Sequence, residues 1–238
     1  MSLKRVCSLL MVMLMIVSIA TSFVACQKEE VIYELEDILP NQLENGRYYF
    51  RQGYKADSWD VSCGEDDRYL ITLDTMTDGS KCRYKCGLAV QFTPKGRNDI
   101  TYSIYNIAGV SGAAVTRGTI FEQLVNEEKE SSFHFNELFR DASEENGRDN
   151  FVLEKYENVD ETTVNINKTQ FNKLGYTFTK DGVDWKGTLY FIPHNKGGIS
   201  SFHLITVETE VSAWDAYAED IEVMLKDFKQ TGYETKQQ

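Results

Sequence analysis

The stretch that most limits what this chain can fold into lies near its C-terminus. In SAWDAYAEDIEVMLKDFK, Trp214, Tyr217, Ile221, Met224, Leu225 and Phe228 recur at steps of three and four. That spacing brings side chains to one face of an α-helix. Ser212 is placed to cap the helix, and Asp215 completes a weaker form of the capping box. Such a stripe needs an apolar surface to lie on, and burying it contributes on the order of several kcal/mol, at about 25 cal/mol per Å².

Upstream, the chain supplies that surface as strands. RYYFRQG, SWDVSC and RYLITLDT are followed by CRYKCGLAVQFT, a PKGRND turn and ITYSIYNI. Asp78-Gly79 tolerates positive φ and predicts a hairpin. The period then changes. Thr119 to Glu122 form a capping box ahead of Phe121, Leu124 and Val125, and a second short helix is predicted through FNELFRDASEEN, stopped by Gly147. Strands resume with NFVLEKYENV, TTVNINKT, FNKLGYTFT, WKGTLYFIP and GISSFHLITVE. The expected fold class is α+β: a mostly antiparallel β-sheet packed against a few α-helices, the last of them the C-terminal amphipathic one. Residues 47–231 are expected to form this single domain, with 232–238 a disordered tail. The 13 Tyr and 13 Phe fit a sheet-rich core.

The chain begins differently. Lys4 and Arg5 precede an apolar run relieved only at Ser8 and Ser18, the n-region and h-region of an exported protein. Three outcomes are open. A peptidase cuts after Ala20, or the 20 residues from Val6 to Ala25 stay as a membrane span, or the run ends in a processing site at Cys26. Phe23-Val24-Ala25-Cys26 resembles the lipobox of bacterial lipoproteins. That resemblance implies a diacylglycerol thioether on Cys26, cleavage of residues 1–25 as a signal peptide, and residence on the outer face of the bacterial cytoplasmic membrane. Each buried lipid methylene contributes about 0.8 kcal/mol, so two or three acyl chains hold a protein stably. Residues 26–46, acidic and poor in core residues, read as a tether with a helical turn or two ended by Pro40. Fully extended, it reaches up to about 70 Å at roughly 3.5 Å per residue.

Loss of residues 1–25 leaves 213 residues and moves the formal charge from −12 to −14. An acidic surface disfavours nucleic acid and anionic headgroups. Cys63, Cys82 and Cys86 then remain beside Cys26, an odd number of thiols. Cys82 and Cys86 in a strand lie about 13 Å apart, beyond the roughly 4.4–6.8 Å between Cα atoms that a disulfide needs. A bond from Cys63 to either stays open, as does persistence of all three thiols.

The segments FNKLGYTFT, DWKGTLYFIPHNKGGISSFHLITVE and WDAYAEDIEVMLKDFKQT together resemble the PsbP-like fold shared with the Mog-type Ran-binding proteins. The pattern spans residues 47–231 and is most distinctive in the last 60. The resemblance implies a non-enzymatic binding or assembly module. It transfers no site residue, because no position here matches a functional motif of that family.

Few residues invite chemistry. His194 and His203 flank NKGG; centring that turn on Lys196-Gly197 sets His203 opposite Tyr190, four residues of strand from His194, about 13 Å and too far for a shared metal. His134 stands alone in SSFHFNE. No serine-nucleophile elbow or P-loop ending occurs, and GVSGAAVTRG reads as a loop whose Gly109, Gly112 and Gly118 are alternative lining for a binding mouth. Asp66 and Asp67 lack an EF-hand frame. Asn167-Lys168-Thr169 fits a glycosylation acceptor by chance, and Trp59, Trp185 and Trp214 read as core. No catalytic residue, metal or cofactor is expected. The function expected is a membrane-anchored module with a protein partner or small ligand and no nucleic acid. The alternative is an extracellular or cell-wall hydrolase with an unrecognised active site.

Overall fold

Period-two alternation decides most of the strands. The structure, a computed structural model, describes residues 36–63, 69–71, 85–108, 147–157, 159–167, 169–196 and 199–231. In chain order these give β1 (Asn41–Asn45), β2 (Phe50–Tyr54), β3 (Trp59–Cys63), β4 (Tyr69–Ile71), β5 (Lys85–Pro94) and β6 (Ile100–Ala108). There follow β7 (Asp149–Leu153), a 3-10 turn (Val159–Thr162), β8 (Thr163–Ile166), β9 (Thr169–Lys180), β10 (Val183–Lys196), β11 (Ile199–Glu210), α1 (Trp214–Lys226) and β12 (Phe228–Gln230). The large sheet runs β3-β5-β6-β11-β10-β9-β7, with β4 also on β5 and β8 also on β9. Every pairing among the described residues is antiparallel. A small sheet, β1-β2-β12, completes the described strands.

The two residues between β9 and β10, Asp181 and Gly182, have φ of 52° and 77°. That is the positive-φ pair a tight hairpin demands, and Asp-Gly is its preferred filling. Along β10 and β11, one phase of side chains (Tyr190, Ile192, Ile205, Val207) joins Ile221, Met224 and Leu225 of α1 and Phe50 and Phe228 of the small sheet in one buried cluster. The other phase is buried too, through Leu189, Phe191 and Leu204. The antiparallel sheet with its C-terminal helix agrees with expectation; α1 is the one α-helix among the described residues. The helices expected near residues 119 and 135–146, the Asp78-Gly79 hairpin and the tail at 232–238 lie outside them.

Four expectations are corrected. Ser212 does not cap α1: the N-cap is Ala213, with no side-chain hydrogen bond. Phe228 is not on the helix. The helix stops at Lys226, where the Asp227 amide reaches back to carbonyls of the last turn, and Phe228 starts β12, paired to Gln52 of β2. The β10–β11 register differs from the expected one by two, since Lys196 pairs with Ile199. His203 therefore lies opposite Ile192, two positions from His194 rather than four. Finally, the domain starts at Asp37 rather than Arg47. Leu39 is in the core, and β1 pairs with β2 from Asn41–Tyr54 to Asn45–Phe50, so the second half of the expected tether is folded.

A single carboxylate explains that early start. Asp227, fully buried, accepts from the amides of Ile38 (3.1 Å) and Leu39 (2.8 Å) and from Gln42 Nε2 (2.7 Å). Lys229 adds an ammonium at 3.1 Å and reaches Asp37 at 2.5 Å. Gly53 leaves room for this: a Cβ there would lie 1.8 Å from Asp227 Oδ2. Gln52 extends the same joint, donating to the carbonyls of Gly53 and Met224 and accepting from the Tyr102 hydroxyl. Nearly every buried polar group here is satisfied, as the cost of an unpaired one requires.

Candidate functional site

Between α1 and the β8–β9–β10 part of the sheet lies a groove of about 400 Å³, in the range of small-molecule sites. Its floor is apolar: Val164 and Ile166 from β8, with Ile221 and Leu225 from α1. Trp214 stands at the first turn of α1, and Lys186 Nζ sits 4.7 Å from its ring centroid.

The β8–β9 turn shapes one end. Asn167 takes φ of 45° there, a conformation Asn tolerates better than most residues. Its side-chain amide donates to the Lys226 carbonyl at 2.8 Å, tying the turn to the last turn of α1. The side-chain amide of the Asn167-Lys168-Thr169 sequence is thus engaged. Lys226 in turn is bonded to Glu222 at 2.5 Å, one helical turn back.

Lys173 and Tyr190 differ from these paired groups. They face each other across β9 and β10, so their Cβ atoms are roughly 4.5–5.5 Å apart. Both line the groove. Tyr190 is only 6% exposed, and its ring is fixed edge-on against Phe171, 6.2 Å between centroids. Its hydroxyl has no hydrogen-bond partner among the described residues, yet it is not sealed from solvent. Burial pushes this phenol up to about 12, so it stays a proton donor at neutral pH. Lys173 is exposed and has no carboxylate within reach among the described residues.

The residues singled out in the sequence fall elsewhere. Trp59 and Trp185 are core; Trp214 is half-buried and lines the groove. His203 is buried between Phe50 and Phe228. Its Nε2 donates to the Tyr48 carbonyl at 2.7 Å and its Nδ1 accepts from Gln230 at 3.0 Å, so both nitrogens serve the fold. Cys63 is exposed and in no disulfide. It pairs with Val90, and Cys86 lies four positions further along β5. That is about 13 Å of strand, too far for a bond between Cys63 and Cys86. Cys26, Asp66, Asp67, Cys82, Gly109, Gly112, Gly118 and His134 lie outside the described residues. No cluster of three His, Cys, Asp or Glu able to hold a metal occurs among the described residues. Lys173 and Tyr190 were not singled out in the sequence. The readable signal was a lysine two residues after buried Phe171, in the same phase of a strand buried on both faces.

No family model matches the chain, and no curated protein does. Among solved structures it is similar to LpqN, "involved in cell envelope biogenesis of Mycobacterium tuberculosis", with 11% identity, 81% of this chain and 90% of that one covered, and a TM-score of 0.48. It is also similar to the cyanobacterial PsbP of Synechocystis sp. PCC 6803, with 9% identity, 80% and 91% coverage and a TM-score of 0.46. These are distant likenesses of chain path, and no ligand or activity follows from them.

Proposed function

We propose that this chain is a lipoprotein held outside the cytoplasmic membrane through Cys26, and that its domain is a binding module, not an enzyme, taking a small ligand between α1 and β8–β10. The groove carries the reading: an apolar floor beside a buried hydroxyl that no described group satisfies. Water reaches that hydroxyl, and a ligand atom that bonds it in the water's place is oriented by it. The leader, the box ending at Cys26 and the polar sequence that follows support the anchor. The groove's described polar side chains are two lysines, a glutamate bonded to one of them, two asparagines and a tyrosine, which suits holding a ligand.

Two measurements test the two halves. Mass spectrometry of the mature N-terminus should find a lipid thioether on Cys26, and Cys26→Ser should leave the membrane fraction. An unmodified peptide spanning Ala25 and Cys26 overturns the anchor. Native mass spectrometry of the protein recovered from envelope extract should show an added small mass. Ala218→Trp, which fills the groove, should lose it; equal retention by both proteins overturns the groove as the site.

A further inference from the structure

Resting on that groove, the nature of its occupant can be narrowed. A ligand there meets two chemically distinct regions. Along Ile166, Ile221 and Leu225 it meets hydrocarbon, where only an apolar group gains by displacing water. At the Lys173–Tyr190 pair it meets two donors, a flexible cation and a fixed phenol, side by side and with no described acceptor between them. A charged donor and a neutral one lining the groove from facing strand positions fit an oxyanion, since hydrogen bonds to an ionised acceptor are about twice as strong as those to a neutral one. The cation stands out because the whole chain carries a net charge of −12. Glu222, the groove's described carboxylate, is already bonded to Lys226, which leaves Lys173 as the uncompensated charge of the lining.

We infer that the groove binds a small organic acid with an apolar tail, its carboxylate held between the Lys173 side chain and the Tyr190 hydroxyl and its tail lying along Ile166, Ile221 and Leu225. The tail supplies affinity through burial. The two donors supply orientation and the choice of an acid over its neutral counterpart, because a neutral head leaves Lys173 partly desolvated without compensation.

Octanoate and its neutral counterpart octanamide are suitable probes. Because Asp37–Gln238 form a compact unit, residues 27–238 serve as the protein. The change in tryptophan fluorescence serves as the readout, since Trp214 lines the groove and Trp59 and Trp185 do not, so these two add a constant background. Octanoate should bind at least tenfold more tightly than octanamide, and Lys173→Gln should erase that preference, weakening octanoate roughly tenfold and octanamide hardly at all. Tyr190→Phe, which keeps the ring, should weaken octanoate by a smaller factor of about threefold. A urea midpoint measured for each variant separates lost binding from lost folding. If octanamide binds as tightly as octanoate, or neither substitution changes the preference, the acid assignment is overturned; the groove reading survives provided Ala218→Trp blocks both probes. Octanoate binding that ignores Ala218→Trp overturns both. A peptide with an apolar free C-terminus that binds where octanoate does not, and fails when amidated, overturns the small acid in favour of a chain terminus.

Discussion

Removing the Asp227 carboxylate should unfasten the start of the domain. Asp227→Ala takes away the acceptor of four donors: the Ile38 and Leu39 amides, Gln42 Nε2 and the Lys229 ammonium. Deleting one side of a buried charge network costs about 3–5 kcal/mol. Lys229 keeps Asp37, and the Ile38 amide is near solvent, so the loss falls at the lower end, about 3 kcal/mol, mostly from the Leu39 amide and Gln42. With a urea slope of about 3 kcal/mol per M for a domain of this size, the unfolding midpoint should drop by about 1 M at unchanged slope. Gly53→Ala provides the cross-check. Its new Cβ would lie 1.8 Å from Asp227 Oδ2 but 2.9 Å from Asp227 Cβ, so the substitution should cost less in Asp227→Ala than in the wild type. A loss under about 1 kcal/mol, or strict additivity of the two changes, would refute this account of the joint.

The same joint responds to acid. The hydrogen bond from Lys229, followed by the nearby Lys229 and Arg51 charges, holds Asp37 below its ordinary 3.8 against the opposing effect of burial. A depressed carboxyl adds stability above its unfolded pKa and loses it as pH falls through the folded value. Wild type should therefore lose more of its urea midpoint below pH 3.8 than Asp37→Asn does. Alkali acts through the phenols: burial holds Tyr102 and Tyr176 well above 10.0 and Tyr190 near 12. Raised acids keep the fold intact below 10 and weaken it as pH climbs past that value, so thermal midpoints should fall between pH 10 and 12, in step with delayed tyrosinate absorbance at 295 nm. Arg148→Ala should cost about 3 kcal/mol in urea unfolding, because it strands Glu208, which Arg148 grips through Nε (2.9 Å) and Nη2 (2.7 Å).

Ten of the twelve strands were legible because each shows β-propensity or alternation between turn residues. β1 and β12 were not. Asn41-Gln42-Leu43-Glu44-Asn45 has neither, and it pairs as a strand because Asp227, 185 positions beyond Gln42, fastens it. Phe228 continues the helical spacing by coincidence, and only the pairing with Gln52 reveals it as strand. The hairpin register slipped by two because the turn was centred on Lys196-Gly197, although Gly197-Gly198 is the stronger tight-turn pair. The groove was hidden for a related reason. Lys173 and Tyr190 meet through the β9–β10 register, and α1 joins them from some forty residues away, whereas a sequence shows local period and not which faces converge.

The buried carboxylate at position 227 also sets a length. With folding under way from Asp37, ten residues separate that point from Cys26, and eleven steps of roughly 3.5 Å span at most about 40 Å. For the anchor proposed at Cys26, that ceiling is little more than half the reach of about 70 Å expected of a tether running to residue 46, and every residue drawn into the front of the domain shortens it further.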